Sequence, residues 1–133
     1  MADPLTITSA SVAILSNIFA LSKQISTFVL TAKDARKDMD GVRQELSSLE
    51  LSLLVLQDYD FDKKYPKALQ EQLVQVLNNC KHVTVQMQEL LDKLSSVNLG
   101  RKIQWAFNGR DQMNSLRSSL EAHKSTISLA LEM

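Results

Sequence analysis

Four apolar stripes constrain the fold of this chain more than any other feature of its sequence. In each stripe, mostly hydrophobic residues recur at alternating spacings of three and four, which places them on one face of an α-helix. Stripes with this heptad spacing are typical of helices that pack at small crossing angles. In chain order, the stripes are Ile14, Ile18, Leu21, Ile25, Phe28 and Ala32; Met39, Val42, Leu46, Leu49, Leu53 and Leu56; Leu69, Leu73, Val76, Cys80, Val83, Met87, Leu90, Leu94 and Val97; and Met113, Leu116, Leu120, His123, Ile127 and Ala130.

The breaks between the stripes indicate separate helices instead of one long coiled coil. Asp34 is suited to cap the second helix, Pro66 to begin the third, and Gly100 and Gly109 to bracket a short extra helix before the last one. Short connections favour antiparallel neighbours. The sequence therefore predicts one all-α domain over residues 1–133, an antiparallel four-helix bundle with a short extra helix before the last helix. Further apolar residues widen the stripes beyond a two-stranded seam: Leu51, Leu54, Val55, Val74, Leu77 and Leu91.

The first helix is unusual because residues 4–22 carry no charge in a chain that is 23% charged. The acidic start, Met-Ala-Asp, argues against an export signal, and seven Ser, Thr and Asn residues in the stretch argue against a constitutive membrane span. Val12, Leu15 and Phe19 add a second apolar stripe, so the start of the helix is apolar on most sides. We expect a closed bundle to bury this half of the helix, and the same surface to suit a membrane if it is released.

The sequence offers few residues for chemistry. Fifteen basic and fifteen acidic residues balance, without the basic excess of a nucleic-acid binder. Cys80 is the only cysteine and lies on an apolar stripe, which predicts a buried thiol and favours a reducing compartment. His82 lies two positions away and so points to another face of the helix. The alternating acids of DYDFD, residues 58–62, lack the glycine and glutamate of a calcium loop. We therefore expect no enzyme, cofactor or metal site.

The segment GRKIQWAFNGR, residues 100–110, combines Arg101, Lys102 and Arg110 with Trp105 and Phe107. Cations beside aromatic rings can form an interfacial membrane patch. Alternatively, the two aromatic side chains close the end of the bundle while the charges stay in water. Both readings remain open at this stage.

Both ends of the chain carry a family resemblance. The opening reads MADPLTITSASVAILSNIFALSKQISTFV and the tail reads KIQWAFNGRDQMNSLRSSLEAHKSTISLALEM. They resemble the HeLo-like N-terminal domains of fungal NOD-like receptors and related ankyrin-repeat proteins. That group is related to the HeLo domain of heterokaryon incompatibility, the bundle of the mixed-lineage kinase-like pseudokinase, and plant resistance-receptor coiled-coil domains. The tail residues that match the pattern are Trp105, Ala106, Phe107, Met113, Leu116, Leu120, Lys124, Leu129 and Leu131.

The resemblance implies a cytoplasmic cell-death effector at the N-terminus of a longer receptor. Once the receptor domains C-terminal to it bring copies together, such a bundle self-associates, relocates to the membrane and disrupts the lipid bilayer with its first helix. The membrane-contacting residues implied here are Leu5, Ile7, Val12, Ile14, Leu15, Ile18, Phe19 and Leu21. Secondary interfacial candidates are Arg101, Lys102, Trp105, Phe107 and Arg110.

Two other functions stay open on the sequence alone. One is a protein–protein interaction bundle that oligomerises or docks a partner helix without touching lipid, since the four stripes serve that role equally well. The other is a small enzyme or metal protein. The sequence disfavours it, because it shows no set of residues with the spacing that catalysis or metal binding requires.

Overall fold

The computed structural model describes residues 7–58, 66–95 and 109–132. Four long helices account for nearly all of them: α1 (Ile7–Thr31), α2 (Arg36–Asp58), α3 (Lys67–Ser95) and α4 (Arg110–Glu132). No strand occurs in these three ranges. The all-α class and the four helices are confirmed.

The helices form a bundle in which each packs against two others. α1 contacts α2 and α3, and α4 contacts the same two helices from the other side. The pairs α1–α4 and α2–α3 make far fewer contacts and therefore lie across the diagonals. The α1–α3 interface is the most extensive.

Contacts between side chains give the helix directions. Asn17 and Gln24 of α1 meet Thr84 and Asp92 of α3 in the same order along both chains, so these neighbours run parallel. α1 and α2 are joined by a short turn and run antiparallel. The directions alternate along the sequence, as predicted, but the connection from α2 to α3 crosses a diagonal and makes α1 and α3 parallel neighbours.

The predicted stripes form the core. Every member of the first two stripes is buried, as are most members of the third and fourth. Leu69, Val76, Leu116 and His123 are only partly buried, because they lie at the edges of their stripes, and Val97 is outside the described residues. The additional apolar residues divide: Leu77 and Leu91 are buried, whereas Leu51, Leu54 and Val55 are exposed.

The predicted helix boundaries are confirmed in part. The Pro66 carbonyl accepts a hydrogen bond from the Gln70 N–H (3.1 Å), so α3 begins where predicted. Between α1 and α2, Lys33–Ala35 form one turn of 3-10 helix, which places Asp34 inside that turn ahead of α2. Ala32 and Ala35 are buried there and draw the turn against the core. The predicted extra helix before α4 lies outside the described residues.

Candidate functional site

The candidate residues of α1 divide into two sets by burial. Ile7, Ile14, Ile18 and Leu21 are buried in the core. Val12 is 52% exposed and Phe19 63% exposed, while Leu15 is partly buried. The expectation that the closed bundle buries the apolar first half of the helix is therefore wrong for the second stripe. The reason is geometric: α1 has only two close neighbours, so part of its circumference stays in contact with solvent. Leu5 lies outside the described residues.

Four polar contacts help to hold α1 in the bundle. The Asn17 amide donates to the Thr84 hydroxyl (3.4 Å), and the Gln24 amide donates to both the Gln88 carbonyl (3.1 Å) and the Asp92 carboxylate (2.5 Å). On the other flank, the Arg43 guanidinium donates to the Ser26 hydroxyl (2.8 Å). α1 is thus attached to α3 and α2 by directional bonds in addition to its apolar stripe.

A lysine marks the end of the uncharged part of α1. Lys23 is the only charged residue in Ile7–Thr31. Its ammonium lies 4.4 Å from the centre of the Phe19 ring, which is a cation–π geometry. The aliphatic part of the lysine side chain thereby shields part of the Phe19 ring from solvent.

Ser11 is an exception within the core of the bundle. Its side chain is fully buried, and among the described residues its hydroxyl has no hydrogen-bond partner. Leaving such a group without a partner costs about 1–3 kcal/mol. Ser11 therefore weakens the attachment of α1 to the closed bundle.

The exposed apolar residues of α1 continue onto α2. Leu51 is 64% exposed, and Leu54 and Val55 are also exposed. Val12 and Phe19 lie on the same line along α1 as Ser26, at seven-residue intervals, and Leu54 lies three turns from Arg43 on α2. Since Ser26 and Arg43 are in contact, these lines border the same groove. We call Val12, Leu15, Phe19, Leu51, Leu54 and Val55 the α1–α2 face.

Sequence reasoning identified only the α1 half of this face. Leu51, Leu54 and Val55 were interpreted there as a widening of the core stripe. The signal that could have separated them is the absence of charge: residues 51–57 form the longest uncharged run of α2.

Each helix contains an uncharged segment: residues 7–22 of α1, 51–57 of α2, 72–80 of α3 and 125–131 of α4. These segments do not form a common uncharged band. Lys124, which directly precedes the segment of α4, contacts Glu45, six residues before the segment of α2.

Arg110 is the only secondary candidate within the described residues. Its guanidinium nitrogen Nε lies 3.1 Å from Asp38 Oδ2, so it forms an ion pair that links α4 to α2. It begins α4 beside the start of α2, at the end of the bundle opposite to the start of α1. The structure therefore does not bring Arg110 together with the α1 candidates. Arg101, Lys102, Trp105 and Phe107 lie outside the described residues.

Residues with potential chemistry are scattered. Cys80 is buried, as predicted, and burial raises the pKa of its thiol to about 12, which keeps it protonated at neutral pH. His82 is exposed and His123 partly buried. Across residues 7–58, 66–95 and 109–132, no group of three or more His, Cys, Asp or Glu could hold a metal ion. An open groove of about 620 Å³ between α3 and α4 is lined by Leu90 and Leu116 and by polar residues of both charges, among them Glu89, Lys93 and Asp111.

By length and composition, α1 could cross a membrane. Within the described chain it is the one helix of this kind, and a third of its most apolar window is buried in the bundle. A core helix of a soluble protein passes the same test, so the property is weak evidence for a membrane role.

Comparison with known proteins gives one match. No curated protein and no solved structure matches this chain. A family model described as "Pigment biosynthesis cluster protein PigL N-terminal" matches residues 2–133, nearly the whole sequence. The chain therefore belongs to this family of PigL N-terminal domains.

Proposed function

We propose that this bundle is a signalling domain of the cell-death effector type, which self-associates and acts at membranes through α1. The observation that carries the proposal is the partition of α1: one apolar stripe lies in the core, a second is already exposed, and a single charge interrupts 25 residues of helix. The HeLo-like resemblance supplies the biological setting, a receptor of the NOD-like type. The family description mentions neither HeLo domains nor such receptors, so that kinship is part of the proposal.

A further feature supports a membrane role. Val12 and Phe19 are available for a first contact with lipid before any rearrangement. Lys23 lies beside them and can interact with anionic headgroups.

The energetics require a second step after contact. Six large side chains of α1 are buried: Ile7, Ile14, Ile18, Leu21, Ile25 and Phe28. At roughly 1.5–3 kcal/mol each, their exposure to water costs on the order of 10 kcal/mol. That equals the whole stability of a typical domain. α1 therefore leaves the bundle only if a membrane or other copies rebury the same surface.

In this proposal the closed domain is cytoplasmic and lies N-terminal to receptor domains in a longer chain. Clustering by those domains raises the local concentration, and membrane lipids then capture α1. The family is named for the N-terminal part of a larger protein, which fits this arrangement. The proposal involves no nucleic acid, cofactor or catalytic step.

Dye release from anionic and neutral liposomes tests the proposal. The variant Val12→Glu/Phe19→Glu changes only exposed positions, so the bundle stays folded, and we expect it to lose most of the leakage. Leu129→Glu is the matched control, because Leu129 is exposed to the same degree as Phe19 on another helix. Circular dichroism checks that all variants fold. If neither vesicle binding nor leakage occurs, even with protein fused to an oligomerising tag, the membrane role is wrong.

A second candidate function is a non-lytic interaction bundle. The specific observation in its favour is that the exposed apolar residues do not stop at α1 but continue along α2. Concentration-dependent association without any binding to vesicles would favour this function over the membrane role.

A further inference from the structure

Phe19 and Lys23 form one projection on the surface of α1. The Phe19 side chain is 63% exposed, and the Lys23 ammonium lies 4.4 Å from the centre of its ring. Phe19 is seven residues from Ser26, which contacts Arg43 of α2, so the projection lies on the side of the bundle formed by α1 and α2. It presents an aromatic ring and a positive charge on a helix that has no other charged residue.

The groove between α3 and α4 presents complementary groups. Its volume of about 620 Å³ is ample for an aromatic ring, and Leu90 and Leu116 give it an apolar lining. Glu89 and Asp111 are exposed there, and within the described part of the chain neither carboxylate has an ion-pair partner. Lys93 is the one cation among the described lining residues, so acidic groups outnumber basic ones. The groove therefore suits a partner that combines a ring with a cation.

We infer that the α3–α4 groove binds the Phe19–Lys23 projection of a second copy of this chain. The Phe19 ring packs against Leu90 and Leu116, and the Lys23 ammonium approaches the Glu89 carboxylate. The contact is heterologous, because it joins two different surfaces of the same chain. The inference rests on the self-association in the proposed function and names the surfaces that carry it.

The two surfaces lie on opposite sides of the bundle. The pairs α1–α4 and α2–α3 are diagonals, so the side formed by α1 and α2 is across the bundle from the side formed by α3 and α4. One copy can therefore use its projection on one neighbour and its groove on another without the two contacts interfering. Because α1 and α3 are parallel, copies that are displaced sideways keep the same orientation.

The projection and the groove also lie at the same level along the bundle. The side-chain hydrogen bonds between α1 and α3 join residues that are 67 and 68 positions apart in sequence. At an offset of 67, Phe19 is level with Gln86 and Lys23 with Leu90, and both of these α3 residues line the groove. A sideways displacement alone thus sets the projection of one copy opposite the groove of the next. No shift along the helix axes is needed.

The absence of an axial shift decides what such contacts build. Heterologous contacts close into a ring when successive copies are related by rotation alone, and they form an open filament when they are not. Without an axial shift, all copies point the start of α1 in the same direction. A contact through one helix is also small, so it should be weak until other domains hold the copies together.

Sedimentation equilibrium of the full chain without lipid, from about 1 μM to 1 mM, tests the contact. We expect association that Phe19→Ser and Glu89→Lys each weaken about tenfold or more. Leu30→Ser is the first matched control, because Leu30 is 68% exposed on the same helix but is level with residue 97, beyond the groove. Glu121→Lys is the second, because Glu121 is exposed one turn from Arg117, on the side of α4 that faces α2. A monomer at every concentration, or equal effects of variants and controls, overturns the inference.

A mixing experiment tests whether the contact is heterologous. The Phe19→Ser protein keeps an intact groove and the Glu89→Lys protein keeps an intact projection, so a mixture of the two should form a one-to-one complex that neither forms alone. Charge reversal gives a further check: Lys23→Glu should weaken association, and adding Glu89→Lys to it should restore part of the loss. A mixture that stays monomeric, or a double variant weaker than Lys23→Glu alone, overturns the pairing. No lipid is present, so vesicle leakage remains a separate test of the proposed membrane function.

Discussion

Lys124 of α4 donates a hydrogen bond from Nζ to Oε2 of Glu45 on α2 at 2.6 Å, and the Glu45 side chain is only 7% exposed. Lys124 is the last of three α4 cations at seven-residue intervals; the others are Arg110 and Arg117. Arg110 pairs with Asp38. Arg117 lies against Gly41, where a Cβ atom would be 2.5 Å from its Nη1. α2 and α4 are therefore joined by a polar seam along their solvent side.

Removing the carboxylate from this seam should destabilise the bundle. Glu45→Ala leaves the partly buried Lys124 without its partner, and we expect a loss of about 2–3 kcal/mol in the free energy of unfolding. Urea denaturation of the variant measures the loss. Asp40→Ala is the control, because its pair with Arg43 is exposed and should contribute less than about 0.5 kcal/mol. Equal effects of the two substitutions would contradict a special role for the seam.

The buried hydroxyl of Ser11 predicts a stabilising substitution. Ser11→Ala removes the hydroxyl that lacks a partner and adds a better helix former, so the free energy of unfolding should rise by about 1 kcal/mol. Thr84→Val is the comparison, because that hydroxyl donates to the Lys81 carbonyl and accepts from Asn17, and its loss should destabilise. Thermal or urea unfolding distinguishes them; a destabilised Ser11→Ala would mean that the hydroxyl does have a partner.

The two apolar stripes of α1 should respond differently to truncation. Ile14→Ala opens a cavity in the core and should cost about 2–5 kcal/mol. Val12→Ala, two residues earlier on the exposed stripe, should change stability by less than about 0.5 kcal/mol. Denaturant unfolding of both variants checks the partition on which the proposed function rests. Similar losses at the two positions would show that Val12 is covered in solution.

Cys80 should react only after unfolding. Because burial raises its pKa from 9.0 to about 12, the folded thiol remains protonated at pH 8, and a thiol reagent should label it at the rate of global opening. Above pH 9 the unfolded state loses the proton first, so this group makes stability fall with rising pH between about 9 and 12. Rapid labelling of the native protein at pH 8 would contradict the burial.

The fold follows closely from the sequence because heptad spacing leaves little choice. Residues such as Ile14, Leu49 and Leu120 can satisfy their stripes only inside a bundle, and all three are fully buried. The spatial order of the helices could not be predicted from the sequence. No residue pattern in the connection between α2 and α3 specifies that it crosses a diagonal of the bundle. That crossing makes α3 a neighbour of α1.

The candidate site was predicted only in part, for a related reason. The sequence pattern of an apolar residue beside a core stripe is the same whether or not a neighbouring helix buries that residue. Phe19 and Leu51 both looked like additional core, and only the positions of α2 and α3 around α1 show that they are exposed. Ser11 is a different case: it is a polar residue outside the predicted stripes, and only the packing around α1 shows that it is fully buried.

The most direct test of α1 as the membrane-active element is to lock it into the bundle. The side chains of Asn17 and Thr84 are in contact between α1 and α3 (3.4 Å), so Asn17→Cys/Thr84→Cys, combined with Cys80→Ala, places one cysteine on each helix for a reversible cross-link, either a direct disulfide or a short linker with a disulfide to each thiol. Dye release from anionic liposomes is then measured for the oxidised and reduced forms of the same protein. We predict leakage from the reduced form and little or none from the oxidised form. Equal leakage from both forms would show that leakage does not require α1 to leave the bundle and would contradict the proposed mechanism.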